Sequence, residues 1–222
     1  MDKVLKFYYM NIYDNVGERL KNNYNFFQPD LCLKKGMRLK MKEDLEEKKI
    51  FNIQIGVAIG GIILGTLLHF LYHWTGENGF IAAFSATNES VWEHLKLVFF
   101  PMLVLGIIEY FFVKDKVNNY IEAKVIGIFV AISFVVVVFY TYTGMLGTNF
   151  FLFDILIFIS SILLGEWVTY QFFWRAEETT TLSKVLSFVI LGFLLFSFVF
   201  ATYFPPQVNF FKDSTTGEYG RQ

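Results

Sequence analysis

The sequence predicts an all-α integral membrane protein, built as a bundle of five transmembrane helices. Hydrophobic residues make up 55% of the 222 positions, charged residues only 18%, and apolar stretches of spanning length recur along the chain. A soluble domain carries about 25% charged residues, and about 20 helical residues cross a bilayer core of roughly 30 Å. We therefore expect the lipid bilayer as partner, a multi-pass location in the cell membrane, and no nucleic-acid partner.

The residues before the first span are expected to lie in the cytoplasm. Residues 1–21 place apolar side chains at the spacing of one helix face, so this segment either packs on the protein or lies in the headgroup plane. Residues 37–49 form a charged run that is typical of a solvated helix. The predicted domains are a cytoplasmic amphipathic and charged helical segment (1–49), a five-helix transmembrane domain (50–204) and an outer tail (205–222).

Lysine and arginine orient the five spans, which are predicted at 50–73, 91–113, 122–142, 149–172 and 184–204. Eleven of the 19 basic residues precede Ile50, whereas the connections 74–90 and 143–148 contain none. The remaining connections are flanked by Lys114, Lys116 and Lys124, and by Arg175 and Lys184. Because cytoplasmic loops carry an excess of positive charge, the amino terminus is predicted inside and the carboxyl terminus outside.

Two of the spans contain residues that control helix packing. The first has small residues four apart, which let another backbone approach closely; these are Gly56, Gly60, Gly61 and Gly65. Their partner is either a neighbouring helix of the same chain, which we prefer, or a second copy in a homodimer. In the second span, Pro101 lacks a backbone donor, so we expect a kink near residues 97–101.

Ionisable residues within the spans carry the functional signal. A charge at the bilayer centre costs about 2.5–3.5 kcal/mol on insertion scales, so it normally faces a protein interior or a water-filled cavity. We expect an outward-facing polar pocket formed by spans one, two and four, with the third and fifth spans completing the wall against lipid. The pocket residues are His69, His73, Asn88, Glu89, Trp92, Glu93, His94, Lys96 and Asp154. Glu109 and Glu166 are expected together at a deeper level as an inner acidic pair.

The residues at the start of the second span predict a helix cap and an ion pair. Ser90 and Glu93 have the spacing of a capping box, in which the serine caps the helix and the acid returns to the cap. Lys96 is disfavoured by the positive end of the helix dipole, so it should pair with a carboxylate, either Glu93 or Glu89.

The histidines raise the possibility of a metal. His69 and His73 are four residues apart on one helix face, and His94 adds a third imidazole on the next helix. With Asp154 or Glu89 as a fourth ligand, they would form a tetrahedral site of zinc type. The alternative, which we prefer at this point, is a hydrogen-bonded network without metal.

The stretch Asn88-Glu-Ser-Val-Trp-Glu-His-Leu-Lys96 follows a histidine-bearing span and precedes a Thr-Gly-x-Tyr-Gly tail, residues 216–220. In these features the chain resembles an uncharacterised family of small multi-pass bacterial membrane proteins, a domain of unknown function. The resemblance covers residues 50–222. It implies the membrane class and singles out residues 88–96, but it implies no activity.

A fainter similarity links the chain to membrane hydrolases that include alkaline ceramidases and the progestin and adiponectin receptor group. Those proteins carry Ser-x-x-x-His, an Asp and His-x-x-x-His around zinc, on seven spans. Here Ser90-x-x-x-His94 and His69-x-x-x-His73 occur in another order, on five predicted spans.

Three functions remain open at this stage. The first is an unspecified binding, transport or sensing role for the polar pocket. The second is a zinc-dependent hydrolase acting on lipid, with Glu89, Glu93 or Asp154 as the base. The third is a proton-coupled carrier of a small solute. The sequence assigns no catalytic residue and leaves open whether the protein is an enzyme.

Overall fold

A computed structural model describes residues 29–175 and 179–221. Every regular element in these residues is a helix, and five of the helices are long and apolar enough to cross a membrane. The prediction of an all-α protein with five spans is therefore confirmed. The amphipathic helix predicted within residues 1–21 lies outside the described residues, and the orientation of the bundle stays a prediction.

The helices follow one another with short connections. They are α1 (Pro29–Trp74), α2 (Gly79–Ala82), α3 (Val91–Val113), α4 (Tyr120–Leu146), α5 (Phe151–Phe173), α6 (Thr181–Tyr203) and a 3-10 helix (Asn209–Phe211). By length and composition, the five candidate spans lie within Gly36–Trp74 of α1 and in α3, α4, α5 and α6. Helix α4 begins at Tyr120, two residues before the predicted start of the third span, so Lys124 lies one turn inside the helix.

The chain divides into two compact units, Met1–Lys49 and Ile50–Gln222. In the first unit, the helical residues 36–49 are almost entirely exposed, and Lys49 Nζ lies 3.0 Å from Glu46 Oε1. All of the clusters described below belong to the second unit.

Helices α4 and α5 cross at close range in the second unit. A Cβ atom added to Gly165 would lie 2.7 Å from the carbonyl oxygen of Gly127 and 2.8 Å from Met102 Cε. Only glycine lets the two backbones approach this closely. Above and below this crossing, the core is filled by buried aliphatic and aromatic side chains, among them Phe99, Met102, Ile128 and Ile162.

Helix α1 uses most of its small residues within the same chain. Cβ atoms added at Gly60 and Gly61 would lie 3.2 Å from Leu105 Cδ1 and 3.3 Å from Ile162 Cγ2. Gly65 packs against the carbonyl oxygen of Leu97, the group that would accept a hydrogen bond from residue 101 if that residue were not proline. The glycines thus support the intrachain alternative. Gly56 faces open space, and a homodimer stays a prediction.

Candidate functional site

The polar residues of the bundle collect in three clusters. The His–Glu cluster is His69, Glu89 and His94; the Lys96 cluster is Thr87, Glu93, Lys96 and Thr202; the Lys124 cluster is Gln54, Glu109, Tyr120, Lys124 and Glu166. The first two lie where α1 ends and α3 begins, which we call the histidine end. Thirteen residues of α3 separate Lys96 from Glu109, so the Lys124 cluster lies roughly 20 Å away at about 1.5 Å per residue.

The His–Glu cluster brings three possible metal ligands together. One ligand atom from each residue lies within 4.8 Å of the others. Glu89 Oε2 lies 3.4 Å from His94 Nε2, and Glu89 Oε1 lies 3.8 Å from His69 Nε2. A tetrahedral zinc ion bound at about 2.0–2.1 Å keeps its ligands roughly 3.3 Å apart. The closer pair already has this spacing, and the wider pair would move together by about half an ångström around such an ion.

A hydrogen bond at Nδ1 of His94 leaves Nε2, the nitrogen that faces Glu89, available to bind a metal ion. Its Nδ1 lies 2.9 Å from the carbonyl oxygen of Ser90, which can only accept, so Nδ1 carries the hydrogen. In the neutral ring, Nε2 then presents its lone pair toward Glu89. The side chains of His69, His94 and Glu89 are 28%, 36% and 46% exposed, so the cluster is open at its surface.

Three residues predicted for the same pocket lie elsewhere. His73 is exposed one turn beyond His69, with its ring beside Tyr72, and is not part of the His–Glu cluster. Asp154 accepts hydrogen bonds from Tyr142 and, at 3.1 Å, from Asn149. Trp92 packs among aromatic rings, with centroid distances of 4.7 Å to Phe198 and 4.8 Å to Phe211. The predicted residues therefore divide among several sites instead of lining one pocket.

The Lys96 cluster confirms the predicted ion pair. Lys96 is 0% exposed, and its Nζ lies 2.5 Å from Glu93 Oε2. The same ammonium group donates to the carbonyl oxygen of Ala82 at 2.8 Å and to Thr202 Oγ1 at 2.9 Å. All three of its hydrogens thus have an acceptor.

Of the two contacts predicted for the capping box, the structure has the one made by Ser90 and lacks the one made by Glu93. Ser90 Oγ accepts from the backbone N–H of Glu93 at 3.3 Å, as expected of the cap. The carboxylate of Glu93 turns inward instead of returning to Ser90, because Lys96 and the backbone N–H of Thr87, at 2.9 Å, bind it there. The N–H of Ser90 donates to Asn88 Oδ1 at 2.9 Å.

The prediction that the third and fifth spans only face lipid was wrong. In the fifth span, α6, Thr202 is 0% exposed and lies 3.2 Å from Glu93 Oε1. In the third span, α4, Lys124 binds both inner acids. A threonine in an apolar helix does not by itself indicate an interior polar contact, because its hydroxyl can donate to the carbonyl four residues earlier. Thr202 has this contact with Phe198 at 3.0 Å.

The tail beyond α6 packs over the loop that carries Glu89. Asn88 Nδ2 donates to the carbonyl oxygen of Gly220 at 2.8 Å, and Ser214 Oγ donates to that of Glu89 at 3.2 Å. The backbone N–H of Glu89 donates to Asp213 Oδ2 at 3.4 Å. We call this set of contacts the tail latch. It holds the backbone of one metal-ligand candidate in position.

Asp213 organises the tail latch. Its Oδ1 accepts from both the N–H and the hydroxyl of Thr215 at 2.6 Å, and from the N–H of Thr216 at 3.1 Å. Burial alone would raise the pKa of Asp213, but the hydrogen bonds from Thr215, Thr216 and Glu89 hold that pKa below its usual value. The hydrogen bonds of the tail therefore stabilise the ionised form of Asp213.

The Lys124 cluster joins both members of the inner acidic pair to one lysine. Lys124 Nζ lies 2.8 Å from Glu109 Oε2 and 2.7 Å from Glu166 Oε2. Gln54 Nε2 also donates to Glu166, and the Tyr120 hydroxyl oxygen lies 2.9 Å from Glu109 Oε2. Glu109 and Glu166 therefore share a cationic partner inside the bundle.

Sequence reasoning missed the residues that complete these clusters. Lys124 was interpreted as a flank of a connection, and Tyr120 was not singled out as a site residue. One signal could have found the lysine: it lies inside an apolar stretch, at the depth where two acids of other spans lack a partner. Asp213 gave no comparable signal, because an acid in a turn-rich tail is ordinarily solvated.

Residues 38–221 match a family of unknown function, DUF6512. The chain belongs to this family. All three clusters and the tail latch of this DUF6512 protein lie within the matched residues, and the prediction of an uncharacterised family is confirmed. No curated protein and no solved structure matches the chain. DUF6512 membership supplies no activity, so any function has to be argued from the geometry of the clusters.

Proposed function

We propose that this protein is a multi-pass membrane protein that binds a divalent transition metal ion of zinc type through His69, Glu89 and His94. The observation that carries the proposal is the convergence of one ligand atom from each of these residues within 4.8 Å. Two imidazoles and one carboxylate are a ligand set used by catalytic zinc sites, which keep a further position open.

The surroundings of the ligands support this proposal. Metal-binding histidines usually donate their second ring hydrogen to a carbonyl or carboxylate, which fixes the ring and the tautomer, and His94 has such a contact with Ser90. His69 Nδ1 is buried and has no hydrogen-bond partner within the described residues. A neutral His94, with its hydrogen on Nδ1, would direct a lone pair at an ionised Glu89, and a cation between them removes that repulsion.

Binding is better supported than lipid hydrolysis, the second function considered. A zinc hydrolase needs a carboxylate or imidazole free to take a proton from the metal-bound water. Of the acids suggested for that role, Glu89 becomes a ligand, Glu93 is bound by Lys96, and Asp154 is bound by Tyr142. None of these three acids is therefore free to act as the base.

Binding is also better supported than proton-coupled transport. A carrier needs a polar route between its stations, but buried apolar side chains fill the roughly 20 Å between the Lys96 and Lys124 clusters. They include Val98, Phe99, Met102, Ile128 and Ile162. We therefore assign the His–Glu cluster a binding or sensing role at one surface of the membrane.

Metal content per chain tests the proposal. The full chain, purified in detergent without a polyhistidine tag and exposed to zinc, should retain close to one ion per chain after desalting. His69→Ala, His94→Ala and Glu89→Gln should each lose most of it. His73→Ala is the matched control, because His73 lies one turn away on the same helix and outside the cluster, and it should retain the ion.

Two results would overturn the metal site. One is wild-type protein that retains no zinc while remaining folded by circular dichroism. The other is an equal loss of zinc in His73→Ala and in the three ligand variants, which would indicate nonspecific binding to surface histidines. Parallel loading with iron(II) and zinc identifies the preferred ion, since this ligand set also suits iron.

A further inference from the structure

The Lys124 cluster contains one more acid than base, and we propose that Glu109 holds a bound proton there. The cluster is then a proton-binding site inside the membrane-spanning part of the bundle. The inference does not depend on the metal site, which lies at the other end of α3.

Charge balance is the first argument. Lys124, Glu109 and Glu166 are 5%, 1% and 2% exposed. One ammonium group against two ionised carboxylates would leave a net negative charge in this enclosed place, and isolated buried charge is costly. A single proton on one acid makes the cluster neutral. The other groups that face Glu109 are the hydroxyl of Tyr120 and, beyond Glu166, the uncharged amide of Gln54.

The hydrogen-bond donors distinguish the two acids. Both oxygens of Glu166 accept from Lys124, at 2.9 and 2.7 Å, and Oε2 also accepts from Gln54. Glu109 Oε1, by contrast, is buried and has no donor within the described residues. A buried oxygen without a donor is more costly on an ionised carboxylate than on a neutral carboxyl. Both oxygens of Glu166 have donors, so we assign the negative charge to Glu166 and the proton to Glu109.

Tyr120 places the proton on a particular atom. Its hydroxyl oxygen lies 2.6 Å from the carbonyl oxygen of Gly106 and 2.9 Å from Glu109 Oε2. Tyrosine has one hydroxyl hydrogen, and the Gly106 carbonyl can only accept it. The second contact is a hydrogen bond only if Glu109 donates to the tyrosine oxygen. The proton therefore lies on Glu109 Oε2, which also accepts from Lys124 at 2.8 Å.

Infrared spectroscopy tests this assignment directly. The full chain in an ester-free detergent at neutral pH should show the carbonyl stretch of a protonated carboxyl, and the band should shift after exchange into D2O. Glu109→Gln should remove it. Asp115→Asn is the matched control, since Asp115 is an exposed acid in the connection that follows α3, and the band should remain in that variant.

A second variant keeps the test decisive if Glu109→Gln does not fold. Tyr120→Phe removes the acceptor of the proposed hydrogen bond, so the band should persist at a higher frequency. A wild-type spectrum without the band, a band that survives Glu109→Gln, or a band that Tyr120→Phe leaves unmoved would each overturn the proposal. None of these measurements depends on bound metal, so metal binding can fail while the proton site holds.

Discussion

Each hydrogen of the Lys96 ammonium group has an acceptor. Its ammonium group is shared by a carboxylate, a carbonyl and a hydroxyl that come from α3, the α2 region and α6. A lysine near a helix amino terminus opposes the helix dipole, so its position must be compensated by these contacts. At the scale of the single residue, one side chain therefore ties three parts of the chain together.

Replacing Lys96 should destabilise the protein strongly. Lys96→Met leaves the carboxylate of Glu93 buried without its cation, and breaking a buried pair in this way costs about 3–5 kcal/mol. Thermal unfolding of the detergent-purified chain measures the loss. Lys114→Met is the control, since Lys114 is exposed, and surface substitutions usually change stability by less than about 0.5 kcal/mol.

The double variant Glu93→Gln/Lys96→Met sharpens this prediction. It removes both charges together, so it should be more stable than Lys96→Met alone. A single variant as stable as the wild type would mean that water reaches the pair, contrary to its burial.

At the scale of the helix, the crossing of α4 and α5 depends on two glycines. We expect Gly165→Ala to destabilise the protein by about 1–3 kcal/mol, the usual cost of overfilling a packed interior, because the new methyl group would meet Gly127 and Met102. Gly192→Ala in α6 is the control. No atom lies within 4 Å of the added carbon there, so the better helix former should be neutral or stabilising by up to about 1 kcal/mol. Equal losses in the two variants would contradict the close approach.

The tail latch makes a prediction about local order. Asp213→Ala removes the acceptor of the Thr215, Thr216 and Glu89 backbone amides. Hydrogen exchange followed by mass spectrometry should become faster in the peptides that contain these amides, with little change in α4 or α5. Glu218→Ala, an exposed acid of the same tail, should leave exchange unchanged. Unaltered exchange in Asp213→Ala would mean that other contacts hold the tail.

The helices and clusters also show which features can be predicted from the sequence and which cannot. Span number and approximate bounds follow from apolar length alone, and the pairing of Lys96 with Glu93 follows from spacing on one helix. Contacts between helices do not, because the rotation of each apolar helix about its axis leaves little trace in its composition. Hence Glu89 lies near His69 and His94, as the sequence suggested, whereas His73, which was expected with them, lies outside that cluster. Thr202 and Lys124 were not recognised as interior partners.

At the scale of the whole molecule, the buried lysine–carboxylate clusters of the described residues lie at two levels of the bundle. The Lys96 cluster lies at the histidine end, the Lys124 cluster lies roughly 20 Å along α3, and the layer between is apolar. Each cluster is buried, so its lysine contributes little to the surface charge that orients a membrane protein. Orientation therefore has to be argued from the exposed basic residues alone.

The exposed basic residues still predict a cytoplasmic amino terminus. Lys114 and Lys116 are exposed between α3 and α4, and eleven further basic residues precede Ile50 in the sequence. The opposite side has Lys212 and Arg221 in the tail. Because basic residues near the spans favour the cytoplasm, a reporter active only outside the cytoplasm should be active after Gln222 or Gly147 and silent after Lys116. The reverse pattern would contradict this orientation and place the His–Glu cluster on the cytoplasmic surface, where it would bind an intracellular ion.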